Sequence, residues 1–134
     1  MTKLLVAWGG SLAVFLLLDM IWLGVVAQAF YHSRLAGVID MHVNWPFALL
    51  FYMLHVIGIM VFVAVPAVQG GMGAGSLLLR GALYGLFTYA TYDLTNLATV
   101  RDWPVGLAFV DIAWGMLLNA VVALAGGWLL RSQA

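Results

Sequence analysis

Three aspartates lie inside stretches that are otherwise apolar or weakly polar. Asp19 occurs in LLLDMIWLG, Asp93 in LFTYATYDLTNLATV and Asp111 in FVDIAWG. An ionised carboxylate at the centre of a membrane helix costs about 2.5–3.5 kcal/mol on insertion scales. We therefore expect all three side chains to face protein, where each must be protonated, pair with a cation or accept hydrogen bonds.

Aromatic and amide side chains accompany these aspartates at helical spacing. Trp22 follows Asp19 by three residues, and Trp114 follows Asp111 by the same interval. Each indole should then lie on the face of its aspartate, as a hydrogen-bond donor or as a wall. Around Asp93, spacings of three and four residues predict one inward stripe of polar and small residues: Gly81, Gly85, Tyr89, Tyr92, Asp93 and Asn96. The two glycines favour close helix packing.

His55 is the one plausible cation inside the apolar runs, because every Lys and Arg lies at the end of a run. The group thus contains more acid than base, and a proton, a metal ion or a cationic ligand would be its natural partner. Repulsion and desolvation favour the neutral acid, so we expect at least one aspartate to hold a proton near pH 7 unless a cation is bound. Two alternatives stay open: the acids could serve as structural links between helices, and His55 could bond a carbonyl or a tyrosine.

Composition identifies the solvent that surrounds these residues. Of 134 residues, 66% are hydrophobic and 7% are charged, whereas an ordinary soluble domain is about 25% charged. This composition predicts an integral membrane protein. A formal net charge of zero gives no basic patch for nucleic acid, and the absence of cysteine excludes disulfides and thiolate metal sites.

Four apolar runs predict an all-α integral membrane fold: a four-transmembrane-helix bundle that forms a single domain over residues 1–134. The runs cover about 4–26, 46–66, 77–99 and 104–130, and each can cross a hydrocarbon core of about 30 Å. The first run is longer than the apolar region of a signal peptide, about 7–15 residues, and we expect it to remain as the first span. The first loop, residues 27–45, mixes aromatic and polar residues and predicts a short interfacial segment.

The aspartates fall at one depth in this arrangement. Counting about 1.5 Å per residue from the span ends places Asp19, Asp93 and Asp111 about 10 Å inside the face of the first and third loops. His55 would lie one turn deeper. Successive helices with short connections are antiparallel neighbours, so the three carboxyl groups should surround one polar pocket that opens toward that face.

The loops contain further signals. Asn44 and Asp102 begin the similar tripeptides NWP and DWP, where each could cap a helix, and Pro46 and Pro104 suit a first helical turn. The glycine-rich segment at 67–76 is interpreted as a flexible connector. Four tryptophans near span ends are interpreted as interfacial anchors: Trp8, Trp45, Trp103 and Trp128.

Charge at the span ends predicts an orientation. An even number of spans places both termini on one side, which Lys3, Arg80 and Arg131 flank, while Arg34 and Arg101 flank the other side. The positive-inside rule therefore favours cytoplasmic termini.

Several segments resemble the bacterial membrane-protein family catalogued as domain of unknown function 2177. They are LLLDMIWLG, AFYHSRLAGVID, NWPFALLFY, YGLFTYATYDLTNLATV and VDIAWG, and they extend over nearly the whole chain. The resemblance implies a small multi-pass protein of the bacterial cytoplasmic membrane and implies no particular activity. Its motif residues correspond here to Asp19, Trp22, Tyr92, Asp93, Asn96, Asp111 and Trp114, whereas His55 belongs to none of these motifs.

Three functions remain open at this point. A small proton-coupled transporter or binding protein would use the carboxylates to take up a proton, a cation or an amphipathic small molecule. An intramembrane enzyme would use Asp and Tyr on a lipid or isoprenoid, as acid–base groups or as metal ligands. An accessory subunit of a larger membrane complex would use the acids only to lock its helices. The sequence leaves a bound metal, any other cofactor and a homo-oligomer undecided.

Overall fold

The computed structural model describes residues 1–26, 28 and 43–134, most of which are helical, and none of these described residues lies in a strand. Helix α1 covers Thr2–Ile21 and continues as a π-helical turn at Trp22–Val26. Helix α2 covers Trp45–Ile59. It continues through a π-helical turn at Met60–Ala64 and a final α-helical segment at Val65–Gln69. Pro66 lacks the N–H of a regular helix, and the wider turn just before it accommodates that defect.

Two longer helices complete the bundle, α3 at Ala74–Thr99 and α4 at Val105–Ser132. The predicted all-α four-helix architecture is confirmed. The interfacial segment expected in the first loop lies outside the described residues, because 27 and 29–42 are not among them.

Three helical stretches are long and apolar enough to cross a membrane: Thr2–Gly24, Trp45–Gln69 and Val105–Ser132. Helix α3 has 26 residues, which also suffices at about 1.5 Å per residue, but its polar stripe makes it less apolar. The polar side is turned inward at Asp93, while Leu79 and Phe87 are among its most exposed side chains. An apolar outer face of this kind suits contact with lipid.

Both termini lie at one end of the bundle, as predicted. The Gln133 side chain donates a hydrogen bond to the Lys3 carbonyl at 3.3 Å, and the Arg131 guanidinium donates to the Met72 carbonyl in the second connection. We call this the terminal end, and we call the opposite end, with the first and third connections, the loop end.

The glycine-rich connection is an ordered helix cap, so its interpretation as a flexible connector was wrong. Gly71 has φ 64°, a left-handed conformation that glycine adopts without strain. The Met72 amide donates to the Ala67 carbonyl at 2.9 Å, and the Gly71 amide donates to the Val68 carbonyl at 3.1 Å. This pair of hydrogen bonds defines a Schellman motif, and only four residues separate Gln69 from Ala74.

Neither predicted side-chain cap forms. Asn44 precedes α2 without a capping hydrogen bond from its side chain. Asp102 has φ 63° and lies two residues before Pro104, which occupies the cap position of α4. A left-handed turn at Asp102 redirects the chain into α4 and places Trp103 against the bundle.

The glycine stripe of α3 packs directly against α4. A Cβ atom on Gly81 would meet the Asn119 carbonyl and the Ala120 backbone, and one on Gly85 would meet the Gly115 backbone. Close backbone approach at small residues is the usual way in which membrane helices associate, and the packing predicted from these glycines is confirmed. Next to this contact, the main apolar core joins Phe15, Val56, Ile59, Leu118 and Val122.

Candidate functional site

A cavity of about 470 Å³ lies in the loop half of the bundle, and the three aspartates line it together. Asp19 comes from the end of α1, Asp93 from the last third of α3 and Asp111 from the start of α4. The predicted convergence on one pocket is therefore observed. Among the described residues that line this cavity, which we call the aspartate pocket, none is Lys or Arg.

Asp19 is held by a tyrosine from the second helix. The Tyr52 hydroxyl donates a hydrogen bond of 2.7 Å to Asp19 Oδ2, and the carboxyl group is largely buried. The Tyr52 ring is fixed in turn by an edge contact with Phe15, with centroids 5.6 Å apart. A carboxylate that accepts a hydroxyl hydrogen bond can remain ionised at lower cost than a bare one.

Asp93 and Asp111 face each other across the contact between α3 and α4. Asp93 is only 1% exposed, and its Oδ2 atom is buried without a hydrogen-bond partner. The indole N–H of Trp103 lies beside this carboxyl group but does not reach hydrogen-bond geometry. Two carboxylates in contact repel when both are ionised, so this pair is suited to share one proton.

His55 lies at the inner wall of the aspartate pocket and pairs with Asn119. The distance from His55 Nε2 to Asn119 Oδ1 is 2.7 Å, and Asn119 Nδ2 donates to the Gly115 carbonyl at 2.7 Å. Because the amide nitrogen is already used as a donor, Oδ1 must accept, and His55 must therefore carry its proton on Nε2. In the neutral ring Nδ1 is the basic nitrogen.

Two tryptophans stack at the boundary between α1 and α4. The rings of Trp22 and Trp114 are 4.5 Å apart at their centroids and tilted by 6°. Trp22 lines the pocket, whereas Trp114 lies behind it next to Asp19. Both indole N–H groups are buried without a hydrogen-bond partner, so neither acts as a donor to its aspartate, and Trp22 alone of the two forms part of the pocket wall.

The other predicted site residues lie on or near the α3 side of the cavity. Tyr89 lines the pocket, and its ring also fills the space above Gly115, where a Cβ atom would collide with it. Tyr92 lies at the rim, half exposed, with an edge contact of 6.0 Å to the Trp103 ring. Asn96 does not line the cavity and lies beside Tyr92.

Metal ligation has little support in the arrangement of the acids. Among residues 1–26, 28 and 43–134, no three histidine or acidic side chains are grouped closely enough to hold one metal ion. Asp19 is engaged by Tyr52 and His55 by Asn119, which leaves the Asp93–Asp111 pair as the nearest approach to a ligand set.

Comparison with known proteins places the chain in a family. A profile described as "Predicted membrane protein (DUF2177)" matches residues 4–128, which include parts of all four helices. The chain belongs to this family. No curated protein and no solved structure matched the chain.

Two tryptophans of this DUF2177 protein were wrongly interpreted as interfacial anchors. Trp103 is 9% exposed, lines the aspartate pocket and packs with Leu107 and Ala108. Trp8 is half-buried against the core, with its indole N–H unpaired. The position of a tryptophan near a span end does not determine which way its helix turns it.

Residues that the sequence analysis missed complete the site of this DUF2177 protein. Tyr52 precedes His55 by three residues, and Asn119 follows Asp111 by eight, intervals that keep each pair on one helix face. Asn119 is also a polar residue in an apolar run, which is a signal for a buried role. Thr88 and Phe51 line the pocket as well.

Proposed function

We propose that this membrane protein uses the aspartate pocket to bind a proton, a cation or an amphipathic small molecule, and that it exchanges one for another as a small proton-coupled transporter would. One observation is the main support: three carboxyl groups from three helices line one cavity without a lysine or arginine among its described residues. Such an excess of acid in a poorly hydrated site favours uptake of a positive charge.

The hydrogen bonds divide the acids into two types. Asp19 accepts from Tyr52, and this bond lowers the cost of its negative charge. Asp93 and Asp111 are in contact and repel when both are ionised. The proposal is therefore that Asp19 supplies a standing negative charge, whereas the Asp93–Asp111 pair holds the proton that is released.

Infrared spectroscopy tests whether the Asp93–Asp111 pair holds a proton. In metal-free wild-type protein we expect a protonated carboxyl band near neutral pH that disappears in the Asp93→Asn and Asp111→Asn variants but persists in Asp19→Asn. In vesicles, Asp93→Asn should abolish coupled proton movement while the protein remains folded. Absence of a protonated band in the wild type, together with unfolding of all three variants, would show that the acids are ionised structural links.

We also propose that the protein resides in the bacterial cytoplasmic membrane with both termini in the cytoplasm. Lys3, Arg80 and Arg131 are exposed at the terminal end, and Arg101 is exposed at the loop end. The chain contains no cysteine, so an Ala134→Cys variant provides a single thiol for labelling. Labelling by a membrane-impermeant reagent in intact spheroplasts would refute this orientation.

An intramembrane enzyme acting on a lipid or isoprenoid is the second candidate. The observation that favours it is the hydrogen bond between Tyr52 and Asp19 at the pocket wall, since such a pair could transfer a proton to or from a bound lipid. A changed lipid profile after deletion, without any proton-coupled movement in vesicles, would favour this candidate over the transporter.

A further inference from the structure

Aromatic rings form much of the wall of the aspartate pocket. Trp22 contributes from the end of α1, Tyr89 and Tyr92 from α3, and Trp103 from the connection before α4. The π face of such a ring attracts a cation within about 6 Å of its centroid, most strongly for tryptophan. Rings also pack against alkyl groups, so this wall suits an organic cation better than a hydrated ion.

The acids supply the negative charge that such a cation needs. Asp93 lines the cavity, but it is 1% exposed, and its Oδ2 atom is covered by neighbouring groups without a hydrogen-bond partner. Buried polar atoms in native proteins are almost always paired. In the proposed function the shared proton of the Asp93–Asp111 pair supplies this partner, and when the proton leaves, the carboxylate behind the aromatic rings attracts a ligand that carries positive charge.

The volume of the cavity and the positions of its acidic and histidine side chains narrow the chemical class of the bound molecule. The cavity of about 470 Å³ falls within the range of about 300–1,000 Å³ that is typical of small-molecule sites. That space exceeds what a bare ion needs. Among the described residues, no three acidic or histidine side chains could hold one metal ion.

We propose that the ligand is a monovalent organic cation, an ammonium group with alkyl or aryl substituents, and that its binding releases one proton from the Asp93–Asp111 pair. This inference rests on the proposed function and specifies its substrate class. One positive charge enters and one leaves, so the net charge of the pocket is unchanged. The other titratable groups that line the same cavity are Asp19 from α1, Tyr52 and His55 from α2, and Tyr89 and Tyr92 from α3.

Calorimetry on the full chain in lipid nanodiscs tests the inference. The probes are benzyltrimethylammonium, its neutral carbon isostere neopentylbenzene, and Mg²⁺, with empty nanodiscs as the blank. We expect the ammonium probe alone to bind. The heat of binding should change with the ionisation heat of the buffer by the amount that corresponds to one released proton. Its affinity should rise by about tenfold per pH unit while the pair is protonated, because proton and cation compete.

Matched variants locate the binding site. Asp93→Asn should weaken binding by at least about tenfold and remove the proton release. Asp102→Asn should leave both unchanged, because Asp102 is exposed outside the pocket and asparagine tolerates its positive φ. Trp103→Leu should weaken binding several-fold, whereas Trp103→Phe should retain most of it, since a ring remains.

Three results would overturn the inference. Equal affinities for neopentylbenzene and for the ammonium probe would show that the site is apolar and does not distinguish charged from neutral ligands. Proton release by Mg²⁺ that depends on Asp93, without any response to the ammonium probe, would refute the organic cation and leave the proposed exchange intact. If no probe binds and no protonated carboxyl band is found, both proposals fail together.

Discussion

The two ends of the bundle use the same helices in opposite ways. At the terminal end, α1 and α4 meet through small residues: a Cβ atom on Gly126 would meet Ser11 Oγ, and one on Gly10 would meet the Leu129 side chain. At the loop end, two stacked indoles, Trp22 and Trp114, occupy the corresponding space. Small residues close the first end, and large flat ones line a cavity at the second.

The two ends also differ in whether their buried polar atoms have hydrogen-bond partners. At the terminal end, the buried Ser11 hydroxyl donates to Met60 Sδ at 3.7 Å, and the neighbouring core atoms are apolar. At the loop end, Asp93 Oδ2 and the indole N–H groups of Trp22, Trp103 and Trp114 are buried without partners. Unpaired polar atoms cost stability. Four of the five such atoms among the described residues lie at the loop end, the exception being the Trp8 indole N–H, and this distribution fits the binding role proposed for the loop end.

The largest effect should come from the small-residue contacts that close the terminal end, which extend along the α3–α4 interface as far as Gly81. Gly81→Ala places a methyl group against the backbone of α4, which cannot move aside as a flexible side chain could. We expect a loss of about 3 kcal/mol in the free energy of unfolding, at the upper end of what overpacking typically costs, because the atoms that the methyl group meets are mostly backbone. Gly9→Ala is the matched control, because its Cβ atom would meet nothing within 4 Å, and it should be neutral or slightly stabilising. Equal unfolding midpoints for the two variants in detergent would contradict this description of the closed end.

An intermediate effect is expected at the boundary between the two ends. His55→Leu or Asn119→Leu alone leaves one partner of a buried hydrogen bond unpaired, at a cost of about 1–3 kcal/mol. The double variant should lose less than the sum, with a coupling energy of about 0.5–3 kcal/mol. A double-mutant cycle measured by thermal or denaturant unfolding checks this, and additive losses would show that the contact does not stabilise the fold.

The smallest effect on stability should come from the aspartate pocket. Asp93→Asn keeps the side-chain shape and replaces an unpaired oxygen with an amide beside Asp111. We expect a change of less than about 1 kcal/mol in the free energy of unfolding, because the amide can donate a hydrogen bond to the neighbouring Asp111 carboxylate, and this is close to the effect expected for the exposed control Asp102→Asn. A loss as large as that of Gly81→Ala would mean that Asp93 stabilises the fold, and it would remove the contrast between the two ends.

The sequence was sufficient for features that depend on solvent and helical period. Composition predicted the membrane environment, and equal depth counted along three spans predicted that Asp19, Asp93 and Asp111 would share a pocket. The stripe at Gly81 and Gly85 predicted the α3–α4 contact. The shared pocket and the glycine stripe follow from about 1.5 Å of rise and 100° of rotation per residue, which hold in any regular helix, whereas the membrane environment follows from composition alone.

The features that the sequence did not predict depend on irregular backbone or on contacts between different helices. The left-handed turn at Asp102 directs Trp103 inward, and no local residue preference indicated that direction. The capping turn at Gly71 depends on hydrogen bonds to two specific carbonyls, which a glycine-rich composition alone does not reveal. Asn119 was missed because its role depends on His55, a residue on another helix.

The stacked indoles of Trp22 and Trp114 also have an optical consequence. Two parallel rings with centroids 4.5 Å apart couple their electronic transitions and should produce an exciton signal in ultraviolet circular dichroism. Sliding or rotation of α1 against α4 would alter the distance and the angle between the transition dipoles and would therefore change that signal. The protein therefore contains a label-free spectroscopic gauge of the register between its first and last helices, readable while a probe is titrated into the pocket.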